Sequence, residues 1–589
     1  MRKHTSQMDI DVVFKFLGNS GLLQNVNFFM FSFSTLISPL HMVGAALTVG
    51  QPDDYRCKTP TGFTINQTIP YYVNDNGLIE YDRCHLYEVV NGSVSSNLTG
   101  CRYGYDYKTT NGETSVVSDL NLVCDESLLG GAMQSIMHVG TIVGSFILGQ
   151  ISDTVGRRKT LMISLFGLGV CGTAVAFLWN YTVMAVLYFI IGFWTAGVLT
   201  SGYVRAIEMF QTKKRMVGHM INGLMYGSGV LLVSPLAYLF PNWRHFQLAV
   251  SLPCFVLVPC IWFCYESLRW LVQKGRFKEA DKIILRIAKS KQLSYTGYQN
   301  LPTVDEMEKI PMEIIKNTDS KPVQTGGSQR KVADEKCSSL PTGRGNSISS
   351  VSSSHHIPSM ARKRSRRYSV VDLFTTRFMA MQTLIVFLCW FTGSSVYFGL
   401  IINTSNLAGN KYLTFFLMSL FEMSCYPVDF FVMKRFGRKR PLITNFIGSG
   451  VASLIVAFTP KQTESGVSLV ALIVATSIIG RYFAAAVFDI TYLISVEIFP
   501  TVLRNIGLGT CVTVGRVGGV IAPFVVYLNT VSGWLPLTIF GAISITSGLL
   551  VSLLPETRHT RLPETFEDAV QLADKGLGRA KFEPIPEHV

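Results

Sequence analysis

Apolar runs of about twenty residues recur along the chain, separated by short polar or basic turns. They read as 26–49, 128–150, 160–179, 183–204, 217–239, 246–265, 378–402, 412–433, 441–459, 467–495, 506–528 and 534–554. A helix of roughly twenty apolar residues crosses a hydrocarbon core of about 30 Å, and in lipid it satisfies its own backbone polar groups. The pattern predicts an all-α membrane protein with twelve transmembrane helices and both ends on the same side. The first run is expected to act as its own insertion signal rather than as a cleaved leader.

Two long polar segments interrupt the rhythm. Residues 50–127 hold Cys57, Cys84, Cys101 and Cys124, with three glycosylation sequons at Asn66, Asn91 and Asn97. Cysteines and sequons grouped in one loop point to an oxidising, extracellular face and two disulfides. Four cysteines allow three pairings, and spacing does not choose among them. Residues 266–377 form the second segment. Its start, 276–289, has helical periodicity and suits an amphipathic helix lying on the inner membrane surface. Residues 317–360 are rich in Ser, Gly and Lys and are expected to be disordered. The segment ends in Arg362-Lys-Arg-Ser-Arg-Arg-Tyr-Ser369, which reads as an anchor for anionic lipids and also as a basophilic kinase site at Ser369. Residues 1–25 and 555–589 are expected to be cytoplasmic.

Charge sharpens the topology. The net charge is +14, yet only 15% of residues are charged and 48% are hydrophobic, which excludes an ordinary soluble protein. The basic residues cluster in short turns: Arg157-Arg158-Lys159, Lys213-Lys214-Arg215, and Lys434-Arg435 with Arg438-Lys439-Arg440. This is the positive-inside pattern of cytoplasmic loops, not a patch for nucleic acid. No P-loop appears, against an ATP-driven pump, and no cluster has metal-ligand spacing. No cofactor is expected, and an enzyme is disfavoured. The oligomeric state and the coupling ion are not legible.

The chain repeats itself at an offset of about 280–290 residues. Glu208-Met-Phe-Gln-Thr-Lys-Lys-Arg215 and Glu497-Ile-Phe-Pro-Thr-Val-Leu-Arg504 share the pattern E-x-F-x-T-x-x-R. Gly156-Arg157-Arg158 recurs as Gly437-Arg438-Lys439, and Glu266-Ser-Leu-Arg269 as Glu556-Thr-Arg558. Two six-helix halves (26–265 and 378–554) in the same orientation are the plan of major facilitator transporters, which rock about a central site. Paired Glu and Arg at helix ends would hold one state and loosen in the other. A gating role is therefore expected for Asp153, Arg157, Glu208, Arg215, Glu497 and Arg504. Arginine at these ends also satisfies positive-inside without any gating.

Gly149-Gln-Ile-Ser-Asp153-Thr-Val-Gly-Arg-Arg-Lys159 resembles the major facilitator signature G-x-x-x-D-x-x-G-R-R-K. Together with Tyr265-Glu-Ser-Leu-Arg-Trp270, Val496-Glu-Ile-Phe-Pro-Thr-Val-Leu-Arg504 and the cysteine loop, the chain resembles the organic ion transporters of solute carrier family 22. That resemblance implies transport of organic cations, anions or zwitterions such as carnitine across the plasma membrane. A sugar-like carrier or a non-translocating sensor on the same fold are the competing readings. The family pattern P-E-S-P-R-W has lost both prolines here, and Lys434 stands where the first half has Asp153.

Charge within a span is expensive and usually functional. Arg516, Asp489 and Glu422 lie inside predicted spans, and His41 lies in the first. The resemblance implies that Arg at position 516 accompanies anions and carnitine, and that an acid at 489 accompanies some cations. Arg516 would fork onto a carboxylate, or pair internally with Asp489 or Glu422. Tyr397, Phe398, Tyr482, Phe483, Phe488 and Tyr492 are candidate faces for an ammonium group, or simply core.

Overall fold

The computed structural model describes residues 10–18, 21–52, 54–73, 79–90, 93–108, 112–210, 215–292, 369–404, 410–460, 462–463, 467–500 and 503–558. Within them lie twelve helices of 17 residues or more. They are α1 (Leu22–Met42), α2 (Ser127–Val155), α3 (Arg157–Val175), α4 (Tyr181–Ile207), α5 (Arg215–Leu239), α6 (Trp243–Trp262), α7 (Arg377–Asn403), α8 (Lys411–Phe436), α9 (Lys439–Phe458), α10 (Val470–Ile498), α11 (Arg504–Tyr527) and α12 (Leu535–Val551). Each overlaps one apolar run of the sequence. Ten are long and apolar enough to cross a membrane; α3, which opens on three basic residues, and the 17-residue α12 fall short. After α1, whose last turn contains Pro39, the chain turns at Val43 and resumes helix over Gly44–Thr48. Proline removes a helix donor and invites such a break.

The repeat governs the packing. Within each half, α2 runs along α4 and α9 along α12; between halves, α2 meets α11 and α5 meets α8. These two contacts are equivalent under the sequence repeat, since α8 is the second helix of its half and α11 the fifth. Gly140 lets α2 approach α4 so closely that a Cβ there would strike the backbone of Phe189, the small-residue packing that lipid-embedded helices depend on.

The long loop after α1 holds three two-stranded antiparallel ribbons: Tyr55–Cys57 with Tyr105–Tyr107, Tyr71–Val73 with Ile79–Tyr81, and His85–Val90 with Ser93–Gly100. Disulfides join Cys57 to Cys101 and Cys84 to Cys124, selecting one of the three pairings. Cys57, Ile69 and Leu86 form a small buried core. Asn66 and Asn97 are exposed, while Asn91 lies outside the described residues.

The helix expected on the membrane surface forms over Phe277–Ser290, but its apolar face is not available to lipid. Ala280, Ile284, Ile287 and Ala288 are buried against Val13, Phe14 and Leu17 of a short helix at Ile10–Leu17, and against Leu268 and Leu271. Protein side chains, sent from the segment before α1 that was expected only to be cytoplasmic, take the place assigned to the bilayer. Residues 317–360, for which disorder was expected, and Arg362–Arg367 lie outside the described residues. Ser369 is described and exposed at the start of a 3-10 turn.

Candidate functional site

The basic turns build two matching structures. Gly156 (φ 118°) separates α2 from α3, and Gly437 (φ 87°) separates α8 from α9. Only glycine adopts such angles without strain. A carboxylate sits on each turn. Both oxygens of Glu266 accept the backbone N–H of Arg158 at 3.1 Å, and Glu556 accepts from Arg438 (3.0 Å) and Lys439 (3.1 Å). The negative group faces the positive end of α3 or α9, where the helix dipole favours it.

Beside each cap lies an ion pair. Arg157, whose side chain is 8% exposed, contacts Asp153 at 2.5 Å and Glu208 at 3.2 Å. Arg438 contacts Glu497 at 3.1 Å, and Thr557 donates to the same carboxylate at 2.5 Å. Lys434, standing where the first half has Asp153, is exposed, so Arg438 has no counterpart of the Arg157–Asp153 contact among the described residues. Arg158 donates to the Cys264 carbonyl at 2.7 Å and Arg269 to that of Phe210 at 3.1 Å. Arg504 does not join Glu497; its Nε donates to the Phe499 carbonyl at 3.4 Å. The side chain of Arg215 lies outside the described residues.

The interior charges sit where the halves meet or just behind. Glu422 on α8 is bound by Arg481 on α10 through Nη2 (2.8 Å) and Nε (3.0 Å), with both side chains at most 1% exposed. Tyr397 donates its hydroxyl to Glu422 at 2.7 Å, and its ring lies 5.3 Å from the Arg481 guanidinium. Asp489 on α10 is held by His219 on α5 at 2.6 Å, a contact between halves. Arg516 on α11 has neither acid. Its Nη1 donates to the Met42 thioether at 3.5 Å, and no carboxylate lies in ion-pair contact with it among the described residues. Around it stand Tyr226 of α5 and His138 of α2.

Aromatic rings connect these groups. Trp390 meets Phe488 (6.1 Å) and Tyr492 (6.3 Å), Phe488 meets Tyr397 (5.4 Å), and Phe398 meets His138 (4.6 Å). Trp390 also faces Gly515, one residue before Arg516. His41 is elsewhere: it shares the space over Gly172 of α3 with Gln247 and Ser251 of α6, inside the first half. Tyr482 and Phe483 meet edge to face, and Phe483 packs over Gly448 of α9, not at the meeting of the halves. A cavity of about 70 Å³ lies at the disulfide end, lined by Glu113, Lys411, Tyr412 and Trp243 among others, away from the buried charges.

Sequence reasoning missed Arg481, His219, Asp429 and Trp390. Asp429 on α8 is 4% exposed, and its Oδ2 has no hydrogen-bond partner. The signal that singled out Asp489, a charge inside an apolar run, was equally present at Arg481 and Asp429.

Residues 126–480 match the model of the Major Facilitator Superfamily. The chain is 31% identical over 577 residues to the Organic cation transporter protein of Drosophila melanogaster, covering 96% of each chain. It is 30% identical over 598 residues to Solute carrier family 22 member 1 of Bos taurus (96% and 94% covered) and 24% identical over 600 residues to Organic cation/carnitine transporter 2 of Homo sapiens (98% and 96% covered). Among solved structures, the inward open xylose transporter XylE from E. coli superposes with a TM-score of 0.53 at 15% identity, covering 95% of this chain and 99% of that one; this likeness speaks to the fold alone. A chain of two matched helical halves, similar from end to end to such relatives, belongs to the Major Facilitator Superfamily, within solute carrier family 22, and is a multi-pass membrane transporter rather than an enzyme.

Proposed function

We propose that the chain carries small organic ions across the plasma membrane by alternating access, and that its solutes bear an anionic group: organic anions, or zwitterions such as carnitine. The observation that carries this reading is Arg516. Both acids that would have neutralised it internally are engaged elsewhere, Glu422 by Arg481 and Asp489 by His219. A guanidinium kept in a membrane interior without a counter-ion is costly, and a solute carboxylate would supply that counter-ion bidentately. The faces of Trp390, Tyr397, Phe488 and Tyr492 suit the ammonium end of a zwitterion. The pairs Arg157–Glu208 and Arg438–Glu497, each internal to a half, serve as gate supports that set the angle of the turns. An organic-cation reading is favoured by the unpartnered Asp429 carboxylate and by the names of the relatives.

Uptake of labelled tetraethylammonium, para-aminohippurate and carnitine in oocytes, compared between wild type and Arg516→Asp, tests the reading. Loss of one charge-assisted contact, about 1.5–3 kcal/mol, lowers uptake of a carboxylate solute roughly tenfold or more at equal surface expression. Robust tetraethylammonium uptake that ignores the substitution overturns the role of Arg516 and leaves the cation reading.

A further inference from the structure

We propose that His219, held between Tyr203 and Asp489, is a proton-binding site that couples the transport cycle to a proton. The inference rests on the transporter reading but not on the charge of the solute.

Three helices build the site. His219 on α5 places Nε2 2.6 Å from Oδ1 of Asp489 on α10, and Nδ1 2.8 Å from the hydroxyl of Tyr203 on α4. Its ring stacks on Tyr492 at 5.7 Å and 18°, and Tyr203 closes edge-on against both rings. The side chains of His219 and Asp489 are 25% and 9% exposed. Tyr203 is four residues from the end of α4, and His219 four from the start of α5. The cluster therefore lies toward the end of the bundle that carries the basic turns.

The partner on each nitrogen gives the chemistry. A phenol both donates and accepts, whereas a carboxylate only accepts. With one proton, the imidazole donates from Nε2 to Asp489 while Nδ1 accepts from Tyr203. With two, Nε2–H still donates to Asp489 and Nδ1–H donates to the phenol oxygen after the hydroxyl turns. The same heavy-atom positions satisfy both forms, so the site gains or loses a proton without being rebuilt. Histidine is the side chain whose ordinary range makes this exchange possible near neutral pH.

Two carboxylates stand on the packed elements, and the other neighbours add no net charge. Asp489 supplies one negative charge from α10, and Asp429 of α8 lies within electrostatic reach of it. Cys425 and Tyr426 of α8 also face Asp489 but are uncharged at neutral pH. Arg481 and Glu422 neutralise each other further along α10. Tyr203 and Tyr492 are neutral.

Coupling follows from where the pair sits. His219 belongs to the first half and Asp489 to the second, so the pair joins the halves. When they part at the basic end, the imidazolium loses its carboxylate, meets water and gives its proton to that side. When they close there and the site communicates with the disulfide-loop side, a proton from that side binds Nδ1 and the latch re-forms. One proton moves per cycle in the direction of the solute.

The test uses the full-length protein in liposomes with the membrane potential clamped at zero. With pH 6 outside and 7.5 inside, wild type should accumulate carnitine, or tetraethylammonium if that is the solute carried, several-fold faster than with pH 7.5 on both sides. His219→Gln should lose the gradient response while keeping solute–solute counterflow, and Tyr203→Phe should keep a response with a displaced pH midpoint. A wild type that ignores the gradient, or a His219→Gln variant that still responds, overturns the proposal. If neither solute enters, the failure belongs to the substrate reading, and hydrogen exchange without solute decides. Rate-corrected protection of peptides covering 199–210 and 484–496 should fall between pH 6 and pH 8 in wild type and be flat in His219→Gln. Constant protection in wild type would also overturn the proposal.

Discussion

The pair Glu422–Arg481 makes a sharp prediction about what holds the second half together. Both side chains are sealed from solvent, and Tyr397 completes the carboxylate's hydrogen bonds from α7. Removing one partner leaves the other charge buried and unpaired, which costs about 3–5 kcal/mol, whereas replacing both with uncharged groups of similar size is often close to neutral. Glu422→Gln and Arg481→Met should therefore each lose at least about 3 kcal/mol, roughly a hundredfold in the folded population. The double variant should regain most of it. The assay is unfolding in mixed micelles followed by tryptophan fluorescence, run as a double-mutant cycle. Additive losses, or a Glu422→Gln variant as stable as wild type, would refute the idea that the two charges exist for each other. In that case Glu422 would be free to meet solute.

Other expectations are simpler. Gly156→Ala and Gly437→Ala put a Cβ 2.5 Å and 2.6 Å from a capping carboxylate oxygen at positive φ, so each should cost about 1–3 kcal/mol and depress uptake. Gly149→Ala, with nothing within 4 Å of its Cβ, should be silent in the same measurements. Cys84→Ser should cost about 2–5 kcal/mol and reduce surface labelling, and peptide mapping without reductant should recover Cys57 with Cys101. In the ribbon loop, burial raises the pKa of Asp82, but the N–H groups of Cys84 and His85 and the His85 side chain outweigh it and hold the carboxyl below its ordinary range. A depressed folded value stabilises above the unfolded pKa, so protection at residues 83–86 should hold at pH 5 and fall only as the pH drops below about 4, which exchange mass spectrometry reads directly.

The bundle was legible because lipid leaves so few choices. A run of twenty apolar residues has one workable conformation, and a repeat offset that recurs at Glu208, Arg157 and Glu266 tells which helices are counterparts. The repeat also marked the basic turns, but it left open which arginine meets Glu497; in the structure that residue is Arg438. The centre was harder. Arg481 and Glu422 are 59 residues apart, and His219 and Asp489 are 270 apart; helical periodicity says which face a residue is on, not which helix that face meets. His41 illustrates the reverse error: a polar residue in an apolar run, yet turned into the first half. The helix at Ile10–Leu17 had a readable signal in Val13, Phe14 and Leu17, whose spacing marks one helical face.

That short helix changes how the protein should be handled. Val13, Phe14 and Leu17 cover Ile284 and Ile287, and Lys291 ties the arrangement down by donating to the carbonyl of Leu17 at 2.5 Å. Trimming the chain to the start of α1, as one would to tidy a sample for crystallisation or cryo-microscopy, would bare a greasy stripe beside the membrane. Such a shortened protein would be expected to clump in detergent even with every membrane helix intact. Purification tags therefore belong ahead of residue 10, never in place of it.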